Sequence, residues 1–168
     1  MFRIPSFFLL LLISTTLLAS DNSSHNSESP GNNSKIEVSQ PWTRATPPGA
    51  GAGGGFITLT NHGDQNDRLV SASSTITNRT EIHTMEMDGD VMRMMPLLNG
   101  INIPPGSTVI LKPGGLHLMF LELSGSIVEG TFVPVTLEFE HSPSVDVELR
   151  VLAAGTFPEN KAQSHSGH

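Results

Sequence analysis

The chain of 168 residues has 16 acidic and 9 basic side chains, which give it a formal net charge of −7 at pH 7 with its histidines neutral. Because the basic residues are few and scattered, the composition argues against nucleic acid or an anionic membrane surface as a partner. The chain contains no cysteine, which excludes disulfides, catalytic thiolates and the His₂Cys centre of blue-copper electron carriers.

The N-terminal sequence MFRIPSFFLLLLISTTLLAS has the pattern of a secretory signal peptide over residues 1–20. A positive charge at Arg3 precedes the apolar residues 4–18, and cleavage is expected after Ala19 or Ser20. The apolar run is shorter than the about 20 residues that span a bilayer, although an uncleaved N-terminal anchor is the alternative. No cysteine follows the run, so a lipid-modified anchor is not expected. The sequence therefore predicts an exported protein whose mature part has no membrane span.

Composition divides the rest of the chain into one domain with polar flanks. Residues 21–34, DNSSHNSESPGNNS, lack apolar periodicity and predict a flexible linker. Residues 158–168 are similar and predict a disordered tail. Residues 35–157 between them have the length of a single domain.

Short β-type runs separated by Gly, Pro and Asn recur through this domain, and no stretch has the apolar period of a helix. Their spacing of about 8–15 residues predicts an all-β antiparallel sandwich or small barrel. In chain order the predicted strands are KIEVSQ, GFITLTN, RLVSASS, TEIHTMEM, VMRMMPL, INI, STVILKP, LHLMFLEL, FVPVTLEFE and VDVELRVLA. The glycine-rich residues 49–55 lack the Lys-Ser/Thr ending of a phosphate loop, and we expect a flexible loop there.

Five of the six methionines after the initiator fall within residues 81–95, EIHTMEMDGDVMRMM. Alternate residues of a strand share a face, so His83, Met85 and Met87 point to the same side. The sixth methionine is Met119 in GGLHLMF.

The DGD sequence after these residues predicts a two-residue hairpin turn, formed either by Asp88-Gly89 or by Gly89-Asp90. Both registers place Met92 and Met94 on the face that carries His83. The first register pairs His83 with Met94, and the second pairs Met94 with the residue two positions beyond His83.

A second His-x-Met unit is formed by His117 and Met119, which share a face of the strand that begins just after Gly114-Gly115. The glycine pair places His117 near the rim of the domain. Two strands of a sandwich can therefore bring one His and one Met each to a common point.

Neutral imidazole and thioether ligands without a carboxylate favour Cu(I) over Zn²⁺, Ca²⁺ or Mg²⁺. In an oxidising compartment a Cys pair is prone to form a disulfide, whereas methionine is slower to lose its ligand function. Packing is the alternative explanation of the cluster, because methionine also fills gaps in protein cores.

The pattern resembles the periplasmic copper(I) chaperones called PCuAC, whose signature is a His, a Met some ten residues on, and a His-x-Met about twenty residues later. The matching residues are His83, Met94, His117 and Met119. The gap between Met94 and His117 is 22 residues, one more than the signature, so Met95 competes with Met94. We prefer Met94 because it shares a face with His83. The likeness also covers PWTRATPPGA, FITLTNHG, DRLVSASS, GINIPPGSTVILKPGGLHLM and VPVTLEFE.

The resemblance implies a cupredoxin-like Greek-key β-sandwich that binds one Cu(I) per chain. It further implies a monomer in the periplasm of a Gram-negative bacterium, which passes copper by ligand exchange to a cytochrome c oxidase subunit or another copper carrier. Met85, Met92 and Met95 are additional candidate ligands. His165 and His168 in the tail are candidates for a weak Cu(II) site.

Catalytic functions find little support, because no Ser lies in a nucleophile elbow and no carboxylate is paired with a candidate base. The sequence therefore predicts a protein that is not an enzyme. Two other hypotheses remain open: a copper-buffering protein without a dedicated recipient, and a metal-free β-sandwich module whose methionines contact another protein.

Overall fold

The computed structural model describes residues 35–158, and these residues form ten β-strands without an α-helix. The strands are β1 (Ile36–Arg44), β2 (Ala52–Asn61), β3 (Asp67–Ser74), β4 (Arg79–Asp88), β5 (Val91–Pro96), β6 (Ile101–Ile103), β7 (Thr108–Leu111), β8 (His117–Leu121), β9 (Phe132–Phe139) and β10 (Val145–Leu152). The prediction of an all-β fold is confirmed, and each predicted run corresponds to one strand.

Several predictions fall outside the described residues. They are the signal peptide over residues 1–20, the linker over residues 21–34, and the tail beyond residue 158 with His165 and His168. Within residues 35–158 we find no helix of the length and apolar character needed to cross a membrane.

The strands belong to one hydrogen-bonded sheet with the order β5-β4-β8-β2-β1-β10-β9-β3-β6, and β7 pairs with the second half of β2. All named pairings are antiparallel except β1 with β10. Every strand except β5 contributes to a single buried apolar cluster. The sheet must therefore fold on itself, so that one face encloses the core and the other faces outward.

The prediction of a flexible loop over residues 49–55 is wrong for its second half. Ala52 to Gly55 begin β2 and pair with β8 from Leu121 to Leu118. A Cβ at Gly55 would lie 2.9 Å from Leu149 and 3.0 Å from the ring of Phe120. Glycine is present because two bulky core side chains approach the backbone, which local composition does not reveal.

Asp67, at the start of β3, is a buried carboxylate that holds the turn between β9 and β10. Its Oδ1 accepts hydrogen bonds from the backbone N–H of Arg68 at 2.7 Å and of His141 at 3.0 Å. Its Oδ2 accepts one from the N–H of Ser142 at 3.0 Å. Burial alone would raise the pKa of Asp67, but a hydrogen bond from the Ser142 side chain, together with these backbone hydrogen bonds, outweighs it and lowers the pKa below its usual value.

We expect Asp67→Asn to lower the free energy of unfolding at pH 7 by about 1–3 kcal/mol, because one buried N–H loses a charged acceptor. Since the folded-state pKa is the lower one, the carboxylate's contribution is present above about pH 4 and is lost as the pH falls through the folded pKa. The difference between the variant and the wild type should therefore narrow under acid. Urea denaturation at several pH values measures it.

Asp64→Asn is the control for this prediction, because Asp64 forms an exposed ion pair with Lys35 at 3.2 Å. Exposed pairs contribute little, so its unfolding curve should match the wild type. Equal stability of Asp67→Asn and Asp64→Asn at pH 7 would contradict the role given to Asp67.

Candidate metal centre

Two histidines meet on the outward face of the sheet, where β4 and β8 pair. His83 lies directly opposite His117 in this antiparallel ladder. Their ring centroids are 5.8 Å apart and the rings are inclined at 59°. Ile82 and Leu118, the neighbours of these histidines, point into the core. Despite its outward direction the pair is buried, with His83 8% and His117 5% exposed.

Each imidazole has one nitrogen fixed by an oxygen atom that can only accept a hydrogen bond. Nε2 of His83 lies 2.7 Å from Oε2 of Glu81, and Nδ1 of His117 lies 2.9 Å from the carbonyl oxygen of Gly115. These nitrogens therefore carry the proton, which leaves a lone pair on Nδ1 of His83 and on Nε2 of His117. Nδ1 of His83 is buried and has no hydrogen-bond partner. Metal-binding histidines are oriented in the same way, by an acceptor on the nitrogen that does not bind the metal.

Glu81, two residues before His83 on the same face of β4, was missed by the sequence reasoning. Its other carboxylate oxygen accepts from Nε of Arg79 at 2.8 Å, and Arg79 also contacts Glu122 at 3.4 Å. The hydrogen bond from His83, followed by that from Arg79, lowers the pKa of Glu81. The carboxylate is therefore charged at neutral pH and remains an acceptor for His83. The E-x-H spacing within a strand was the available signal.

The β4–β5 hairpin adopts the second of the two registers considered, with Gly89 and Asp90 in the turn and φ of 64° at Gly89. Met94 lies opposite Met85, and Pro96 lies opposite His83. Met94 is therefore a diagonal neighbour of His83, at about 7–8 Å between backbones, within reach of long side chains.

Of the other methionines predicted from the sequence, Met119 and Met92 lie on the face of the histidines and Met95 lies on the opposite face. Met119 follows His117 on the same face of β8 and lies opposite Glu81, so it borders both histidines. Met92 shares the outward face but lies farther along the hairpin, opposite Met87. Met95 pairs with Thr84 and therefore points to the other face of the hairpin, away from the histidines.

Glycine and aromatic residues border the histidines on the side of β2. Gly54 lies opposite Met119, so no side chain separates this thioether from β1. A Cβ at Gly54 would lie 3.2 Å from the ring of Phe56, which itself packs against Trp42 at a centroid distance of 4.4 Å, with the rings inclined at 37°. Continued by one residue, the β2–β8 register places Phe56 opposite His117. The aromatic pair therefore closes this side with apolar surface.

No three His, Cys, Asp or Glu residues in the described part of the chain come close enough to hold a metal ion. A cation at His83 and His117 would therefore need the thioethers of the neighbouring methionines as further ligands. Two neutral imidazoles with thioethers form a soft, uncharged donor set, which fits Cu(I) and disfavours hard cations. The unpartnered Nδ1 of His83 is available for such a ligand bond.

The fold of the chain is similar to that of solved PCuAC domains. It matches the structure described as "Copper-bound PCuAC domain from PmoF2" with 27% sequence identity and a TM-score of 0.60, over 71% of this chain and 93% of that one. The solution structure of apo-DR1885 from Deinococcus radiodurans has the same fold, with a TM-score of 0.55, 21% identity and coverage of 88% of this chain and 97% of that one. The resemblance noted from the sequence is thus confirmed.

The chain belongs to the LpqE-like family, whose model, described as "Putative lipoprotein LpqE-like", matches residues 36–151. This family is related to PCuAC. The curated protein named "Putative lipoprotein Lxx21020", from Leifsonia xyli subsp. xyli (strain CTCB07), is 28% identical over 127 residues, which are 75% of each chain.

Proposed function

We propose that this protein is an exported copper chaperone that binds one Cu(I) with His83, Met94, His117 and Met119. The observation that carries the proposal is the histidine pair. Two buried imidazoles lie side by side, and each has one nitrogen held by an acceptor and the other free. The copper-bound PmoF2 domain supports the choice of metal, since it shares the fold.

The donor set suits a carrier more than a storage site. All four ligands are neutral, so no anionic ligand adds electrostatic attraction that would slow the release of Cu(I). Met94 is 46% exposed on the hairpin, so an incoming ligand from a partner can replace this thioether first. Stepwise replacement lets copper move without passing through a free aqueous ion, and its rate is governed by release of the weakest ligand.

The proposed recipient is the copper centre of a cytochrome c oxidase or another copper carrier, in the periplasm. Such a recipient must offer Cu(I) ligands at its surface before its own fold closes over the metal. A buffering protein would share the copper site but would not deliver to such a recipient. We propose no catalytic step, because transfer of Cu(I) between ligands needs neither electrons nor protons from the protein.

The test is anaerobic competition of the protein with a chromophoric Cu(I) chelator, followed by mixing of the loaded protein with an apo copper-site domain of an oxidase. We expect binding of one tightly held Cu(I), little competition from Zn²⁺, and transfer that is faster than copper release into buffer. Absence of binding above that of a histidine-poor control protein would reject the copper site. Binding without accelerated transfer would favour the buffering role.

We expect Glu81→Gln to weaken Cu(I) binding by about 10–100-fold, the effect typical of losing a group that orients a metal ligand. An amide can turn its NH₂ toward Nε2 of His83, which would favour the tautomer that protonates Nδ1. The measurement is the ¹⁵N chemical shifts of His83 in the metal-free protein, together with Cu(I) affinity. Glu122→Gln is the matched control, because Glu122 also contacts Arg79 and, within residues 35–158, no histidine is found in contact with it. Unchanged His83 tautomer and affinity in Glu81→Gln would contradict this role.

A further inference from the structure

The outer half of the β4–β5 hairpin has four methionines on one face, in two directly opposed pairs. Met87 lies opposite Met92, and Met85 lies opposite Met94. We call this set, Met85, Met87, Met92 and Met94, the methionine ladder. Three of its side chains are strongly exposed, at 61% for Met87, 55% for Met92 and 46% for Met94. It extends from the turn of the hairpin to the histidine pair.

The phase of the hydrogen bonds brings the opposed methionines close together. The N–H of Leu97 donates to the carbonyl oxygen of Ile82 at 2.8 Å, so the next pair, His83 with Pro96, is a non-hydrogen-bonded pair. The absence of an N–H on Pro96 agrees with this phase. Antiparallel pairs alternate, so both methionine pairs are also non-hydrogen-bonded, the type in which side chains lie closer, about 4.5 Å between Cα atoms.

In the outer half of the hairpin, the charged side chains lie on the other face. Glu86 lies opposite Arg93, and Nε of Arg93 lies 2.7 Å from Oδ2 of Asp88. The hairpin is therefore two-sided, with ion pairs on one face and thioethers on the other. A ladder that only packed against the domain would be buried, yet β5 is exposed along its whole length. The carboxylates of its outer half, Glu86 and Asp88, thus lie away from the thioether face, and Glu81 lies on that face only beyond the histidine pair.

We infer that the outer rung of the ladder, Met87 and Met92 assisted by Met85, is a second and weaker Cu(I) site through which copper reaches the histidine pair. This inference rests on the proposed function of the site formed by His83, Met94, His117 and Met119, which we call the inner site. The outer site has thioethers alone, without imidazole, and is open to solvent. We expect its affinity for Cu(I) to be lower than that of the inner site by on the order of 100-fold or more. Loss of a residue that only orients a metal ligand already costs up to about 100-fold, and the outer site lacks both imidazole ligands.

Successive methionine pairs of the ladder are two residues apart, about 6.8 Å at the rise of an antiparallel strand. A thioether on a flexible side chain can span part of that distance, so Met85 and Met94 can bind copper while the outer rung still holds it. The ion remains Cu(I) throughout. At each step one Cu–S bond forms as another breaks, and no electron or proton is transferred.

The experiment uses the protein with ¹³C-labelled methionine methyl groups, titrated anaerobically with Cu(I) and, in parallel, with Ag(I). The first equivalent should shift the methyl signals of Met94 and Met119, and further metal should shift those of Met87 and Met92. In the Met87→Leu/Met92→Leu variant, the second stage should disappear and uptake by the inner site should slow by about tenfold or more, while its equilibrium affinity stays within about twofold. Met95→Leu, on the opposite face of the hairpin, is the matched control and should retain both stages.

This experiment can reject the inner site and the outer site independently. In a His83→Ala/His117→Ala variant, shifts of Met87 and Met92 without the first stage would support the outer site. If the wild type lacks the first stage but retains the outer shifts, the proposed inner site is rejected and the outer one stands. If Met87 and Met92 do not respond to excess Cu(I) or Ag(I), or if Met87→Leu/Met92→Leu takes up copper at the wild-type rate, the inference is overturned. The ladder would then be a surface for contact with a protein.

Discussion

Replacement of His117 by alanine is expected to lower the affinity for Cu(I) by on the order of 100-fold or more. Loss of a residue that only orients a metal ligand costs about 10–100-fold, and loss of the ligand itself should cost more. The substitution removes Nε2, one of the two imidazole nitrogens left free on the outward face. The core beneath the site is formed by the alternate residues Leu118 and Phe120, which point the other way. We therefore expect the variant to fold, with a modest loss of stability from the gap left by a buried ring. Competition with a Cu(I) chelator and thermal denaturation measure the two quantities separately.

His141→Ala is the matched control, because His141 is exposed at the end of β9 and lies far along the sheet order from β8. It should bind Cu(I) as the wild type does. His117→Gln adds a second test, since glutamine preserves much of the volume and polarity but not the imidazole. A metal-free module with a methionine contact surface would tolerate it, whereas the copper site should not. Wild-type affinity in both His117 variants would remove His117 from the site.

The strands were predictable because each has a local signal. In β9, for instance, Val133, Val135, Leu137 and Phe139 are buried at every second position, which is the alternation that the sequence displays. Turn residues mark the ends of such runs. For the β4–β5 hairpin the sequence left two possible registers, because Gly89 fits the turn in both. The structure has the register in which Asp88 pairs with Val91, so that Gly89 is the first turn residue, with φ of 64°.

The candidate site was predictable in composition but not in arrangement. The alternation of β4 and of β8 shows which residues share a face within each strand, but not that the two strands are neighbours. Pairing of His83 with His117 is nonlocal and depends on β8 lying between β4 and β2. Gly55 gave the opposite signal, because its need for close packing arises from Phe120 and Leu149 on other strands. The tautomers follow from Glu81 and Gly115, each two residues before its histidine, so this part of the arrangement had a local signal that the sequence reasoning missed.

Adjacent residues of β8 therefore serve different purposes. His117 and Met119 face outward beside β4, whereas Leu118 and Phe120 are fully buried in the core. In β8 the candidate copper ligands thus lie directly over well-packed apolar side chains. A chain without cysteine has no disulfide to stabilise it, so this packing contributes both to the stability of the domain and to the rigidity of the candidate site.

Phe120→Ala is expected to reduce the free energy of unfolding by about 3–5 kcal/mol, the cost of removing a large buried side chain and leaving a cavity. Phe120 is fully buried and its ring lies 3.0 Å from the position that a Cβ on Gly55 would occupy. Since domains of this size have about 5–15 kcal/mol in total, much of the stability would be lost. Urea denaturation of the metal-free protein measures it, and the fraction that remains folded should still bind Cu(I).

Met119→Leu, one position away on the opposite face, should give the reverse result. Leucine has similar volume and apolar character, so the free energy of unfolding should change by less than about 1.5 kcal/mol. It has no thioether, so Cu(I) affinity should fall although the domain stays folded. If Met119→Leu destabilised the domain as much as Phe120→Ala, Met119 would be a packing residue and the donor set would lose one ligand. If Phe120→Ala left stability unchanged but abolished copper binding, the assignment of the two faces of β8 would be reversed.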